Sequence, residues 1–172
     1  MADISDGSPS RLRLTDGTGR PVVLVRAAPD GRVAAGLGVV PGRLSRDRYG
    51  RLATRPGPGE WLLIGGDREA SATVSDVEAL ADGEFATAVD LTHAFTLVRL
   101  TGRSAAAVLS TLCALTRGER AAPDGAAFRT LVAGVTTTVL RDDVDGVRSY
   151  LLVCDRSYAR YIADTLHDAI RT

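Results

Sequence analysis

The chain has 172 residues and 45 % apolar content, enough for one or two small hydrophobic cores. Its 21 basic and 21 acidic side chains balance, which removes the electrostatic case for nucleic acid or an anionic membrane surface as partner. The leading MADISDGSPS has neither the basic nor the apolar region of a secretory signal, and no apolar run approaches the roughly 18 residues of a spanning helix. A soluble cytoplasmic protein is expected.

Residues 1–10 read as a disordered lead: small, polar and without periodicity. RLRLT and PVVLVRAA flank the Gly-rich DGTGR, the pattern of a β-hairpin, and Asp30-Gly31 then precedes RVAAGLGVV, read as another strand. RPGPG, Arg55 to Gly59, is a rigid turn, and EWLLIGG after it is a compact buried strand carrying the single Trp. Ala70, Val74, Val77 and Ala81 fall at helical spacing, so Asp67–Ala81 is expected to be a helix, with Ser75-x-x-Glu78 as an internal or a true capping box. Phe85–Val89 begins a strand region that runs through VDLTHAFTLVRL to Leu100.

The second half has a clearer rhythm. Ala105, Val108, Leu109 and Leu112 mark one buried face of a helix over Ser104–Leu112, and Thr116–Ala126 is a loop. FRTLVAG and VTTTVLRD are β-rich runs about Ala133-Gly134, and Asp145-Gly146 turns into the strand VRSYLLVC. Asp155 is placed as the N-cap of a helix to Arg171, with Tyr158, Tyr161, Ile162, Leu166 and Ala169 inward. The expected order is β-β-β-β-α-β, then β-α-β-β-β-α. That is an α+β plan of antiparallel sheets crossed by helices, one domain over 11–172 in two half-units, about 11–89 and 90–172.

Composition prunes the chemistry. Every basic residue is Arg, and Lys, Asn and Gln are absent. Schiff bases, a P-loop lysine, and side-chain amides as oxyanion donors or adenine readers are therefore excluded. Gly36-Leu-Gly38-Val-Val-Pro41 superficially has the start of a dinucleotide loop, but Pro41 and Gly42 stand where its helix should begin. Cys113 and Cys154 have no zinc or redox spacing and read as reduced core residues, as does Trp61. Asp142-Asp143-x-Asp145 lacks the later glutamate of a calcium loop and reads as a solvated hairpin tip. His167 reads as a surface histidine suited to a helix C-terminus.

The one pair with catalytic appeal is Asp90 and His93. On a strand, positions i and i+3 point to opposite faces, so carboxylate and imidazole cannot meet without a bulge or bend. The expectation is that Asp90 and Thr92 bond backbone groups where a strand begins and that His93 packs at an edge. No catalytic, cofactor-binding or metal-ligating residue is assigned.

GPGEWLLIG, an intervening helix and VDLTHAFTLVRLTGRSAAAVLSTLCAL together resemble the gamma subunit of heterotetrameric sarcosine oxidase. That family shows a G-P-D-E-W-L-L-L strand, a V-D-(L/V)-S-H segment, and an Ala-rich helix ending in a Cys-Pro-Leu-like turn. Arg156-Ser157-Tyr158-Ala159-x-Tyr161 is similar to the family's R-S-F-A-x-Y/W helix opening. The resemblance spans about residues 57–170. Thr92 stands for the usual Ser, Cys113-Ala114-Leu115 lacks the Pro, and the first 55 residues match poorly. Broader relatives are the glycine cleavage T-protein and other folate-binding aminomethyltransferase-like domains, whose N-terminal part the fold should resemble; the chain is about half their length.

The resemblance implies a non-catalytic accessory subunit of an oxidoreductase complex that oxidatively demethylates sarcosine or a related N-methyl amino acid. FAD, FMN, NAD and tetrahydrofolate, the acceptor of the one-carbon unit, would then be bound by partner subunits, with a large alpha-like flavoprotein subunit as the main docking partner. Two other readings follow from the same residues. One is a stand-alone folate- or one-carbon-binding protein, and the other a small hydrolase built on Asp90/His93.

Overall fold

In a computed structural model, which describes residues 12–113 and 122–171, the chain divides into two compact units. Gly19–His93 forms a central unit, and the chain on either side of it forms a terminal unit. The boundary near 89/90 read from the sequence thus lies at His93, and the first strand belongs with the second half. The lead at 1–10 and most of the loop at 116–126 fall outside the described residues.

The central unit runs β2 (Val22–Ala27), α1 (Arg32–Leu37), β3 (Leu44–Arg46), β4 (Leu52–Gly57), β5 (Glu60–Ile64), α2 (Ala70–Ala81) and β6 (Ala86–Asp90). Its five strands make an antiparallel sheet in the order β3-β4-β5-β2-β6. Val23 and Val25, Trp61 and Leu63, and Ala53 point to one face by the two-residue alternation of strands. There they pack with Val33 of α1 and Ala70, Val77 and Ala81 of α2. Fully burying a Val- or Leu-sized side chain is worth about 1.5–3 kcal/mol, so this sandwich of two helices on a sheet fixes the unit.

The terminal unit contains β1 (Arg13–Asp16), β7 (Phe95–Thr101), α3 (Ala105–Leu112), β8 (Ala127–Val132), β9 (Val135–Arg141), β10 (Ser149–Asp155) and α4 (Ala159–Arg171). Its sheet is antiparallel in the order β1-β7-β10-β9-β8. Val98, Leu100, Val139, Tyr150, Leu152 and Cys154 face Ala105, Val108 and Leu109 of α3 and Ile162 and Leu166 of α4.

Four sequence expectations are corrected. The strands around DGTGR make no hairpin: β1 pairs with β7, and β2 with β5 and β6. Local turn residues do not choose strand partners; the sheets do, pairing Arg13 with Thr101, Val22 with Ile64 and Val23 with Asp90. RVAAGLGVV is helical over Arg32–Leu37, because Glu84 accepts the free Arg32 N–H at 2.7 Å and left-handed Gly38 closes the far end. A Cβ at Gly36 would meet Leu80 Cδ2 at 2.7 Å, so a larger residue there would push the end of that half-exposed side chain aside. The RPGPG turn is shorter than read, because Arg55–Gly57 completes β4 across a register shift. The continuous strand read from Phe85 to Leu100 is two strands in different sheets, broken at 91–94.

The last helix differs in phase. Asp155 caps as expected, its side chain accepting the Ser157 N–H at 2.8 Å, but Arg156–Tyr158 is a 3-10 turn and the α-helix starts at Ala159. Tyr158 lies in that tighter turn and is 47 % exposed, and Tyr161, about 100° round the α-helix from Ile162, is 50 % exposed, while Ile162 and Leu166 are buried. The helix over Asp67–Ala81 begins at Ala70, which makes Ser75-x-x-Glu78 internal.

Candidate functional site

The segment carrying Asp90 and His93 is the connection that leaves the central sheet. Asp90 is the last residue of β6, and 92–94 form a turn before β7. Asp90 Oδ1 accepts both the Thr92 N–H at 2.9 Å and the Thr92 hydroxyl at 2.5 Å. With its O–H donated in a hydrogen bond to Asp90, Thr92 Oγ1 accepts the Val22 N–H at 3.1 Å in a buried setting. Leu91 N–H in turn donates to Val22 O at 2.8 Å. Both polar groups of Val22 are thereby satisfied at the end of the β2–β6 ladder, where the regular pairing stops.

The Asp90 carboxyl is held below its ordinary range, first by the Thr92 hydroxyl, then by the Thr92 N–H, and to a smaller degree by the charge of His93. His93 itself is exposed, and among the described residues no hydrogen bond joins it to Asp90. Both Thr92 bonds fall on Oδ1 of the Asp90 carboxylate, and through Thr92 and Val22 the arrangement anchors backbone.

Other candidates from the sequence fall in separate places. Trp61 is fully buried on β5 with the Arg55 guanidinium 5.1 Å above its ring, and its Nε1 has no hydrogen-bond partner among the described residues. Cys113 follows α3 and Cys154 lies in β10; both are buried free thiols. Burial, with the Asp155 charge beside it, pushes the Cys154 thiol up to about 11, so it is unreactive at neutral pH. His167 is half-buried on α4. Among the described residues no cluster of three or more His, Cys, Asp or Glu side chains could hold a metal ion.

The acidic turn after β9 is the largest surprise. Asp142 and Asp143 are not a solvated tip; both are half-buried and paired. Arg99, in the middle of β7, donates to Asp142 Oδ2 at 2.8 Å, to Ser149 Oγ at 2.9 Å and to Asp142 O at 3.0 Å. Arg141 forks onto Asp143 through Nε at 3.1 Å and Nη2 at 2.9 Å, while its Nη1 donates to Ala122 O at 2.7 Å. Burial alone would raise Asp143, but the Arg141 fork, the Ser149 N–H and the nearby Arg148 charge outweigh it, and its carboxyl is held low. Arg141 is held correspondingly high by the same fork. Arg103, Arg141, Arg148, Asp143 and Asp145 line an open cleft of about 660 Å³ beside this knot. Its best-placed acid and base are already spent on each other.

A second polar knot, also missed, surrounds Tyr49. The guanidinium groups of Arg48, Arg51 and Arg68 lie 4.8, 5.4 and 4.7 Å from its ring centroid. Arg51, 10 % exposed, bridges Asp47 at 2.6 Å and Asp76 at 2.9 Å, and Arg68 shares Asp76. The available signal for the knot after β9 was a charged residue inside an apolar strand pattern, which demands a buried partner. Arg99 in FTLVRLT and Arg141 at the end of VTTTVLR carry that signal.

No protein-family model and no curated protein sequence matches the chain. Solved structures do match. A chain of the heterotetrameric sarcosine oxidase of Corynebacterium sp. U-96, solved in complex with pyrrole 2-carboxylate, superposes with a TM-score of 0.83 at 21 % identity. The match covers 98 % of this chain and 87 % of that one. The glycine cleavage system aminomethyltransferase T of Bartonella henselae superposes at 0.67 and 20 % identity, over 91 % of this chain and 45 % of the other. At such identities the likeness establishes fold: mixed helices and antiparallel sheets, as in the sarcosine oxidase chain and the aminomethyltransferase.

Proposed function

We propose that the chain is a non-catalytic accessory subunit of a sarcosine oxidase-like complex. The complex would oxidatively demethylate sarcosine or a related N-methyl amino acid and pass the one-carbon unit to tetrahydrofolate. The observation that carries this reading is the end-to-end likeness to a chain of a heterotetrameric sarcosine oxidase, nearly complete on both sides. FAD, FMN, NAD and tetrahydrofolate belong, on this reading, to the partner subunits. Two features support it: Asp90 is committed to Thr92, and the charged cleft has Arg141 and Asp143 locked together. The test is to produce the tagged chain with its candidate partner subunits. Co-purification of a yellow complex absorbing near 450 nm (roughly, the flavin band) is expected, with a colourless, inactive chain when produced alone. Failure to co-purify would sink the reading.

A stand-alone folate- or one-carbon-binding protein is the second reading, favoured by the likeness to aminomethyltransferase T. Because Trp61 is fully buried, calorimetry reports more directly than its fluorescence. A heat signal saturating with tetrahydrofolate on the isolated chain would favour this reading over the first.

A further inference from the structure

The sheet of the central unit has two outer strands, and they are built differently. At one edge, Arg43, Arg46 and Arg48 are exposed before, within and after β3. Charges so placed keep other chains from adding to a sheet. At the other edge, β6 reads Ala-Thr-Ala-Val-Asp, with no proline and no basic residue, and among the described residues it pairs only with β2. The Leu91 N–H points to β2, where it meets Val22 O. Alternation along the strand then turns the backbone groups of Val89 and Thr87 the same way, and those of Ala86, Ala88 and Asp90 toward the open side.

Apolar side chains accompany this open row. Phe85, just ahead of β6, is 85 % exposed, and Val89 is 49 % exposed. Four positions apart in extended chain, the two share one face of the strand. A single exposed apolar residue is ordinary; a phenylalanine and a valine beside an unguarded backbone edge form the pattern used for strand addition, where main-chain bonds give affinity and alternate side chains give specificity. From Asp82 to Asp90 the strand and the turn leading into it carry Asp82, Glu84 and Asp90 and no basic residue, Asp82 being ion-paired with Arg32 and Glu84 accepting the Arg32 N–H. Two copies meeting here would oppose like charge, whereas a basic segment is complementary.

We propose that the outer edge of β6, with Phe85 and Val89, docks an extended segment of a partner subunit in which apolar and basic side chains alternate. This rests on the accessory-subunit reading, which supplies the partner: the large subunit of the complex. The added strand bonds the backbone groups of Ala86, Ala88 and Asp90 and covers the Phe85 ring.

The experiment is capture of the co-produced large subunit by tagged wild-type chain, Phe85→Ser and Ala88→Pro. Proline at 88 deletes an outward N–H and spares the bonds to β2, a substitution edge strands tolerate. Wild type should retain the large subunit, and each variant should weaken it about tenfold or more, increasingly so at high salt. Protection of the Ala88 and Asp90 amides from hydrogen exchange should appear in the complex. If thermal melting shows Ala88→Pro to be unfolded, Phe85→Ser and the exchange data decide alone. Undiminished capture by Phe85→Ser with no new protection overturns the docking site and leaves the accessory reading intact. A wild-type chain that captures no large subunit overturns both. A dimer of the lone chain that Phe85→Ser dissolves makes the occupant a second copy and also overturns the proposal.

Discussion

Thr92 holds Val22: across 70 residues of sequence, its Oγ1 accepts the Val22 N–H at 3.1 Å while its own O–H donates to Asp90. Replacing the hydroxyl by a methyl leaves a buried N–H without a partner, which costs about 1–3 kcal/mol. Thr92→Val is therefore expected to lower the urea midpoint by that equivalent, and Thr92→Ser to retain most of the wild-type stability. In Thr92→Val the Asp90 carboxyl should also rise toward its ordinary value, a change that carbon-detected NMR titration reads directly.

His93→Ala should be nearly silent. The imidazole is exposed and outside the anchor, so a stability change under about 0.5 kcal/mol is expected by denaturation. If the chain is the accessory subunit proposed above, activity of that complex should be unchanged by His93→Ala; a loss would revive the hydrolytic pair.

Arg141 offers the opposite case. Its side chain is 10 % exposed and serves Asp143 twice and Ala122 O once. Arg141→Met strands a half-buried carboxylate, for which about 3 kcal/mol is the expected scale. Arg141→Lys should rescue little, because an ammonium cannot reproduce the fork and the third bond together. Chemical denaturation of the two variants, compared with Asp143→Asn, separates the geometry from the charge.

Acid should destabilise the protein in a definable window. Asp16, Asp47, Asp90 and Asp143 all bind their protons less tightly than the ordinary 3.8. Depressed folded-state values mean stability that is full above the unfolded value and lost as pH falls through and below about 4. Urea midpoints should thus hold level from pH 7 to 5 and fall from pH 4 downward. A midpoint rising on acidification would contradict the assignment.

Cys154, raised to about 11 by burial, carries at pH 8 a thiolate fraction of roughly one in a thousand. Iodoacetamide should leave it unmodified in the folded chain and label it fully in denaturant, as followed by mass spectrometry of the peptide. Labelling at equal rates in both states would show that the strand opens far more readily than its packing suggests.

Much of the secondary structure was legible because its signals are local. α3 announces itself by Ala105, Val108, Leu109 and Leu112, and β9 and β10 by Thr/Val- and Leu/Val-rich runs. What was hidden depends on partners distant in sequence. RVAAGLG becomes a helix through Glu84, 52 residues away, and the acids after β9 find Arg99, 43 residues before Asp142. Tyr158 was misplaced by a shorter-range cause, the 3-10 turn before the α-helix, and Tyr161 because it stands about 100° round that helix from Ile162. For the candidate site, strand geometry already argued against a joined Asp90 and His93. The role of Thr92 needed Val22, which no window around residue 92 contains.

The departure of β1 from its neighbour in sequence has a bearing on synthesis. Thr18 and Thr96, the flanks of the central unit, touch through their hydroxyls at 2.8 Å although 78 residues separate them. A chain emerging from the ribosome therefore releases β1 before the whole of Gly19–His93, and only after that unit delivers β7 to meet it. Arg13–Asp16 must wait, unpaired, through that interval, and the terminal sheet can close only after its last strand, β10, has been made. The late arrival of a central strand makes the nascent terminal unit, rather than the finished protein, the point at which a chaperone has most to do.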